Sequence, residues 1–229
     1  MSNLPNQFSN SADPAKAHLI TMETPRLMLR EHVMADAVRM NEIAQTPGFV
    51  YYCLDGTMQK AEDFIREAIR TQTPDPATGR RENHMLAIVM KDTGEVIGHT
   101  CLEKVPYVEE APYEVNFFID PKYQSKGYGL EAILNLMHYG FQQYGLKAMM
   151  ATTHPNNGPS RHLIVKEGYI QIANIDMDTV NGKEPRHLFI LARETFYDKR
   201  SKDTRPILLN NPMQPAANTN TPPKAPPAP

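Results

Sequence analysis

The sequence has only two cysteines and no long apolar run. Cys53 and Cys101 sit in apolar surroundings and offer no disulfide framework, which is typical of a reducing compartment. A membrane-spanning helix needs about 18 or more apolar residues in a row, and the N-terminus lacks the charged and then apolar pattern of a signal peptide. We therefore expect a soluble, cytoplasmic protein with buried thiols.

An excess of basic charge is also missing. The chain carries 24 Lys and Arg residues against 26 Asp and Glu residues, a net charge of -2, so no general basic field draws it to nucleic acid or to an acidic membrane. His138, His154 and His162 show no metal-ligand spacing with Cys or Asp. We expect no nucleic-acid partner, no membrane partner and no metal ion.

Both ends of the chain differ in composition from the middle. Residues 1–23 are rich in Asn, Ser, Ala and Pro, and residues 200–229 end in PPKAPPAP. Segments of this composition bury too little apolar surface to fold. The sequence predicts a flexible N-terminal tail over 1–23, one folded domain over 24–199 and a Pro-rich disordered C-terminal tail over 200–229.

Apolar periodicity divides the middle of the chain into strands and helices. Seven strands are predicted, at 26–31, 85–90, 96–103, 115–119, 146–153, 169–180 and 187–196. Four helices are predicted, at 34–45, at 60–71, from the glycines at 127 and 129 to Gly145, and at 160–167. The fourth strand, the long helix and the fifth strand form a βαβ unit, and a mixed sheet with helices on both faces follows.

The stretch QSKGYG, residues 124–129, joins the fourth strand to the long helix. The first turn of a helix leaves backbone N–H groups without intrahelical partners, and glycines let an anion approach them closely. The stretch has neither the Lys and Ser/Thr of a P-loop nor the three glycines of a Rossmann turn. It therefore predicts a phosphate cradle of another kind.

Four segments, in this order along the chain, resemble the GNAT (GCN5-related) N-acetyltransferases, and most of all their RimJ/RimL-like branch. The segments are RLMLRE at 26–31, Glu114 at the head of the fourth strand, PKYQSKGYGLEA at 121–132 and NGPSRHLIVKEGY at 157–169. The resemblance covers about three quarters of the chain. It implies an α/β (α+β) fold whose mixed, mostly antiparallel sheet of about seven strands splays between the fourth and fifth.

The same resemblance implies acetyl-CoA as cosubstrate. The residues implied to bind it are Phe117, Phe118, Ile119, Gln124, Ser125, Lys126, Gly127, Tyr128, Gly129, Leu130, Asn157 and Ser160. Backbone N–H groups of the glycine turn would hold the diphosphate, and the fourth strand would pair with the pantetheine arm.

Several of these roles have a plain alternative. Lys122 and Lys126 are either ligands of the 3′-phosphate or ordinary solvated lysines, and the two glycines are either ligands or turn formers. Asn157 either contacts the pantetheine arm or caps a helix. Either Val115, Phe117 and Ile119 or Asn116 and Phe118 face the core, and the sequence does not distinguish the two sets.

Glu114 is the first candidate for the general base that takes the amine proton, by its match to the family position; its alternative is a solvent-facing carboxylate at a strand edge. Glu103 is the reserve candidate. Ser160 has three open roles: helix cap, ligand, or proton donor to the departing sulfur. Many family members carry a tyrosine as general acid where this chain has Ile164, which leaves the acid unassigned.

The expected function is transfer of an acetyl group to the primary amine of a small molecule or a peptide N-terminus, by direct attack in a ternary complex. The alternative is a catalytically weak protein on the same scaffold that senses acyl-CoA or binds a partner. Either a monomer or a homodimer fits the sequence. Phe49, Tyr51 and Tyr52 are expected either to contact the acceptor or to lie in the core.

Overall fold

A computed structural model describes residues 8–10, 19–49, 53–179 and 182–203. Its strands are β1 Phe8–Asn10, β2 Ile20–Glu23, β3 Leu27–Glu31, β4 His84–Met90, β5 Val96–Lys104, β6 Tyr113–Ile119, β7 Ala148–Thr153, β8 Ile170–Thr179 and β9 Gly182–Ala192. Its α-helices are α1 Asp36–Ala44, α2 Met58–Arg70, α3 Tyr128–Gln143, α4 Gly158–Lys166 and α5 Arg193–Ser201.

All nine strands join one sheet in the order β1-β2-β3-β4-β5-β6-β7-β9-β8. Every neighbouring pair is antiparallel except β6 and β7, which are parallel. Helix α3 crosses between them. This confirms the mixed, mostly antiparallel sheet, although the described part of the chain contributes nine strands to it and not about seven. In the part of the chain that the structure describes, no helix is both long and apolar enough to cross a membrane.

Two apolar layers cover the two faces of the sheet. On the α3 face, Val115 and Ile119 of β6 pack with the apolar side of α3. On the α1/α2 face, Phe118 packs with the apolar sides of α1 and α2. Both alternating sets of β6 side chains are therefore covered, because the strand lies in the middle of a sheet with helices on each face.

The N-terminal boundary predicted at residue 24 passes through the sheet. Strands β1 and β2 lie in the stretch predicted as a tail, and Ile20 and Met22 are buried in the core. The short run ITME gave too little alternation to stand out from its polar neighbours. Residues 1–7, 11–18 and 204–229 lie outside the described residues, so for them the tails stay a prediction.

The last predicted strand, 187–196, was too long. Strand β9 ends at Ala192, and Arg193–Ser201 forms α5, which continues into the predicted C-terminal tail. Phe196 and Arg200 are four residues apart and both are buried, which is helical spacing. Glu194 in the first turn and Lys199 in the last turn complement the helix dipole.

Candidate active site

Strands β6 and β7 diverge and open a cleft in the middle of the sheet. Among the described residues the two strands pair at one position, Glu114 with Met150. Because the strands separate beyond this pair, the predicted splay is confirmed. A cavity of about 140 Å³ occupies the gap. Its lining comes from β6, β7, α3, α4 and β9 and includes Glu114, Asn116, Phe117, Thr152, Asn157, Ser160, Ile164, Tyr169 and Arg186.

Glu114 lies in the wall of this cleft and is 2% exposed. Its Oε1 accepts two hydrogen bonds from Thr152 of β7, from the backbone N at 3.0 Å and from Oγ1 at 2.6 Å. Its Oε2 is buried and has no hydrogen-bond partner among the residues that the structure describes. The carboxylate is thus held on one oxygen and available on the other, and it is not the solvent-facing residue of the alternative interpretation.

The protein environment raises the pKa of Glu114 to about 7. Burial is the largest cause, because a charged carboxylate loses its hydration there. The hydrogen bonds from Thr152 act in the opposite direction, and the negative charge of Glu103 raises the pKa further. A carboxylate with a pKa near neutrality is suited to accept a proton and release it again.

This raised pKa predicts that Glu114 weakens the fold increasingly as the pH rises toward 7. The carboxylate titrates near 7 in the folded state and near its ordinary value of 4.5 in the unfolded state, so wild-type stability falls as the pH rises from about 4.5 to 7. We expect Glu114→Gln to raise the free energy of unfolding by up to about 3 kcal/mol at pH 8, and by little at pH 4. Urea denaturation at both pH values measures this; an equal gain at both would contradict it.

The backbone of Phe117, and not that of Phe118, is directed toward the cleft. Asp120 donates its N–H to the Ile97 carbonyl at 2.8 Å. Hydrogen-bonded pairs alternate along an antiparallel ladder, so Phe118 points its N–H and C=O to β5 and Phe117 points them to the β7 side. The ring of Phe118 packs edge-on against Phe49, with centroids 5.2 Å apart.

The glycine turn meets the N-terminus of α3 as predicted. Gly127 is the N-cap residue with φ 81°, a left-handed conformation that favours glycine, and no side chain caps the helix. Ser125 also has a positive φ, of 61°. The backbone N–H groups of Tyr128, Gly129 and Leu130 lie in the first helical turn, where no intrahelical acceptor exists. This is an anion-binding arrangement.

Gly129 also has a packing role that the sequence did not reveal. A Cβ atom at this position would lie 2.2 Å from Cε2 of Phe117, well inside van der Waals contact. The aromatic ring of Phe117 therefore lies directly against the helix backbone. The glycine both opens the helix end and makes room for a side chain that lines the cleft.

Comparisons with known proteins decide the family. The family model described as acetyltransferase (GNAT) domain matches residues 26–170. The chain belongs to the GNAT acetyltransferase family. It is 28% identical over 145 residues to an uncharacterized N-acetyltransferase, YnaD of Bacillus subtilis, which covers 63% of this chain and 79% of the relative.

Solved structures of GNAT proteins have a similar fold. The ribosomal-protein-S5-alanine acetyltransferase of Vibrio fischeri matches with a TM-score of 0.56 and 16% identity, over 76% of this chain and 97% of that one. RimJ of Mycobacterium smegmatis, in complex with CoA-disulfide, matches with a TM-score of 0.59 and 15% identity, over 80% of this chain and 93% of that one. Both likenesses are consistent with the RimJ/RimL-like branch. This GNAT protein is an N-acetyltransferase by family.

Two residues that support the GNAT site were missed from the sequence. Thr152 holds Glu114 from β7, and Arg26 ties the glycine turn to the start of β3. The Arg26 guanidinium donates to the Lys126 carbonyl at 3.0 Å and to Glu131 at 2.7 Å, and it lies 4.3 Å from the centroid of the Tyr128 ring. Arg26 opens the RLMLRE segment, but no local pattern indicates these contacts of Arg26 and Thr152, because the partners are distant in sequence.

Other predicted residues of the turn have ordinary structural contacts. The side chain of Gln124 donates to the Ile119 carbonyl at 2.9 Å. The ammonium group of Lys126 donates to the Lys122 carbonyl at 3.4 Å and lies 5.3 Å from the centroid of the Tyr123 ring. Both lysines lie beside the helix N-terminus, so a role toward a phosphate stays a prediction.

Asn157 and Ser160 are placed at the other side of the cleft. Asn157 caps α4, since its Oδ1 accepts the N–H of Ser160 at 3.1 Å, and both residues line the cavity. Ile164 is buried in the same wall, at the position where many GNAT proteins carry a tyrosine. Tyr169 is buried in the core with its hydroxyl 3.7 Å from the Met137 sulfur, and burial raises its pKa.

Two further expectations have mixed outcomes. Phe49 packs on Phe118 in the α1/α2 layer, while Tyr51 and Tyr52 lie outside the described residues. Over the described ranges, no three His, Cys, Asp or Glu side chains are grouped so that they could hold a metal ion. Cys101 is buried and Cys53 is half-buried, and within the described residues neither forms a disulfide.

Proposed function

We propose that this protein is an acetyl-CoA-dependent N-acetyltransferase that acts on the primary amine of a small molecule or a peptide N-terminus. The observation that carries the proposal is the buried Glu114 carboxylate, whose unpartnered oxygen lines the cleft between the splayed strands. The named RimJ and ribosomal-protein acetyltransferase neighbours support it at the level of the fold. A cytoplasmic location and a monomeric or homodimeric state complete the proposal.

The residues present suit acetyl-CoA. Bound CoA would supply the acetyl group as an activated thioester. Backbone N–H groups from Ser125 to Leu130 would hold its diphosphate at the α3 N-terminus, and Lys122 and Lys126 would add positive charge nearby. The free backbone edge of β6 at Phe117 would pair with the pantetheine amides, with Phe118 and Ile119 completing that strand, and Asn157 would contact the arm from α4.

Glu114 would act as the general base. The attacking nitrogen must be neutral, so the Glu114 carboxylate accepts the proton that the nitrogen loses as its bond to the acetyl carbon forms and the carbon–sulfur bond breaks. The cleft-facing N–H of Phe117 would polarise the thioester carbonyl, which leaves the Phe117 C=O to pair with the pantetheine arm. Ser160 is the hydroxyl in the cleft lining that would protonate the departing sulfur.

A second function has one observation in its favour. Ile164 leaves the cleft without the tyrosine that many relatives use as general acid, which suits an acyl-CoA sensor or partner-binding protein on a GNAT scaffold. The buried Glu114, which Thr152 holds by one oxygen, favours the enzyme, since a sensor has no need of a buried carboxylate that lowers the stability of the fold.

Incubation of the full chain with acetyl-CoA and a broad amine panel tests the proposal. We expect thiol release that depends on the amine, and acetylated products by mass spectrometry when cell extract supplies the acceptor. Acetyl-CoA binding by calorimetry with no acetylated product in either assay would support the sensor and contradict the enzyme.

A further inference from the structure

A second carboxylate stands beside the proposed base. Glu103 of β5 is directly opposite Glu114 of β6 in the ladder. Directly paired residues project from the same face of a sheet, with Cβ atoms about 5 Å apart. Glu103 is half-buried, and its recorded hydrogen bond comes from the thiol of Cys101 at 3.7 Å, a weak donor. The two carboxylates thus form a close pair on the α1/α2 face.

The surroundings of this pair are short of positive charge. Among the described residues, no Lys or Arg forms an ion pair with either carboxylate. Arg186, whose charge lowers the pKa of Glu114, is ion-paired with Glu184 at 2.9 Å. Glu67 of α2 adds negative charge beside Glu103. Burial raises the pKa of Glu103 as well as that of Glu114. Two carboxylates so placed favour a bound cation.

The unpartnered Oε2 of Glu114 leaves the pair open to a donor from a ligand in the cleft. A buried carboxylate oxygen without a donor costs free energy, and an N–H group entering the cleft would remove that cost. The exposed Tyr107 lies on the loop between β5 and β6. Partial burial of its hydroxyl is the largest cause of its raised pKa, and the charges of Glu114 and Glu103 raise that pKa further. The aromatic ring of Tyr107 can attract an ammonium group by a cation–π interaction as the amine enters the cleft.

We infer that the acceptor is a short diamine, with one amino group at Glu114 for acetylation and the second held as an ammonium by Glu103. The inference rests on the proposed function and adds Glu103 as the residue that determines acceptor specificity. The Cβ spacing of about 5 Å at a directly paired position suits two amines joined by about three or four methylenes. One charge-assisted hydrogen bond to the second ammonium gives a preference of roughly tenfold or more over a monoamine.

The test compares 1,3-diaminopropane with propylamine, which has the same carbon chain and one amino group. We expect kcat/KM to favour the diamine by about tenfold or more in the wild-type protein, mainly through KM, and the ratio to fall as salt screens the second charge. Glu103→Gln should bring the ratio close to one and lower the pH at which activity begins, since the Glu103 charge raises the pKa of Glu114. Asp92→Asn, in the exposed turn between β4 and β5, removes one charge elsewhere and should preserve the ratio.

Calorimetry on the CoA complex separates this inference from the proposed function. Tighter binding of the diamine than of propylamine, lost in Glu103→Gln, supports Glu103 as the ammonium site even if neither amine is acetylated. Equal kcat/KM values for the two amines, with both acetylated, would overturn the inference and leave the enzyme in place. Equal or absent binding of both would overturn it as well. If Glu103→Gln fails to fold, a salt-independent ratio in the wild-type protein is the contrary result.

Discussion

Glu114→Gln is expected to lower kcat by about a hundredfold to ten-thousandfold at neutral pH, the usual contribution of a general base. Glutamine has nearly the same shape, and its amide oxygen can still accept both hydrogen bonds from Thr152. The substitution therefore removes the proton acceptor and leaves the cleft in place. Steady-state thiol release measures kcat, and calorimetry with CoA should give a Kd within about twofold of wild type.

The pH dependence provides a second readout of the same group. Wild-type kcat/KM should rise as the pH increases through about 7, because Glu114 accepts a proton only when ionised. The variant should lack this limb. Glu62→Gln is the control, since Glu62 forms an ion pair with Arg66 on the outer side of α2. A variant at Glu114 with half of the wild-type kcat would rule out this glutamate as the base.

Gly129→Ala is expected to raise the Kd for acetyl-CoA by about tenfold or more. The added Cβ would lie 2.2 Å from the ring of Phe117, so the ring must turn away from α3 toward the cleft that it lines. Overpacking of this kind costs about 1–3 kcal/mol, and the ring would take space needed by the pantetheine arm. Alanine has the higher helix propensity, by up to about 1 kcal/mol, so a weaker helix does not explain a loss of affinity.

Gly140→Ala is the matched control for this loss. Gly140 lies farther along the same helix, and its Cβ would lie 2.5 Å from Cε of Met149 and 2.8 Å from Cδ2 of Leu102, away from the cleft lining. This variant should lose stability but keep its affinity for acetyl-CoA. Thermal melts and calorimetry distinguish the two effects. Wild-type affinity in Gly129→Ala would show that the Phe117 ring has no influence on the binding site.

Local patterns predicted most of the fold correctly. The glycine turn and α3, the β4–β5 hairpin and the βαβ unit each depend on residues close in sequence, and the structure has all of them. The strands β1 and β2 were missed because a short strand gains its stability from pairing with β3, a contact that composition does not record. Helix α5 was missed because the run HLFILARETF, residues 187–196, has no turn residue at Ala192 to indicate where β9 ends.

The sequence by itself determined where the QSKGYG turn lies and which carboxylate leads strand β6, since both follow from neighbouring residues. Only the tertiary structure decided the burial, the hydrogen-bond partners and the pKa of these residues. Glu114 is buried because strands distant in the chain come together around it. Thr152 of β7 donates hydrogen bonds to its carboxylate, and Glu103 of β5 lies directly opposite it in the sheet. Burial and long-range contacts set the pKa of a carboxylate and the space around a glycine, and neither is a property of the local sequence.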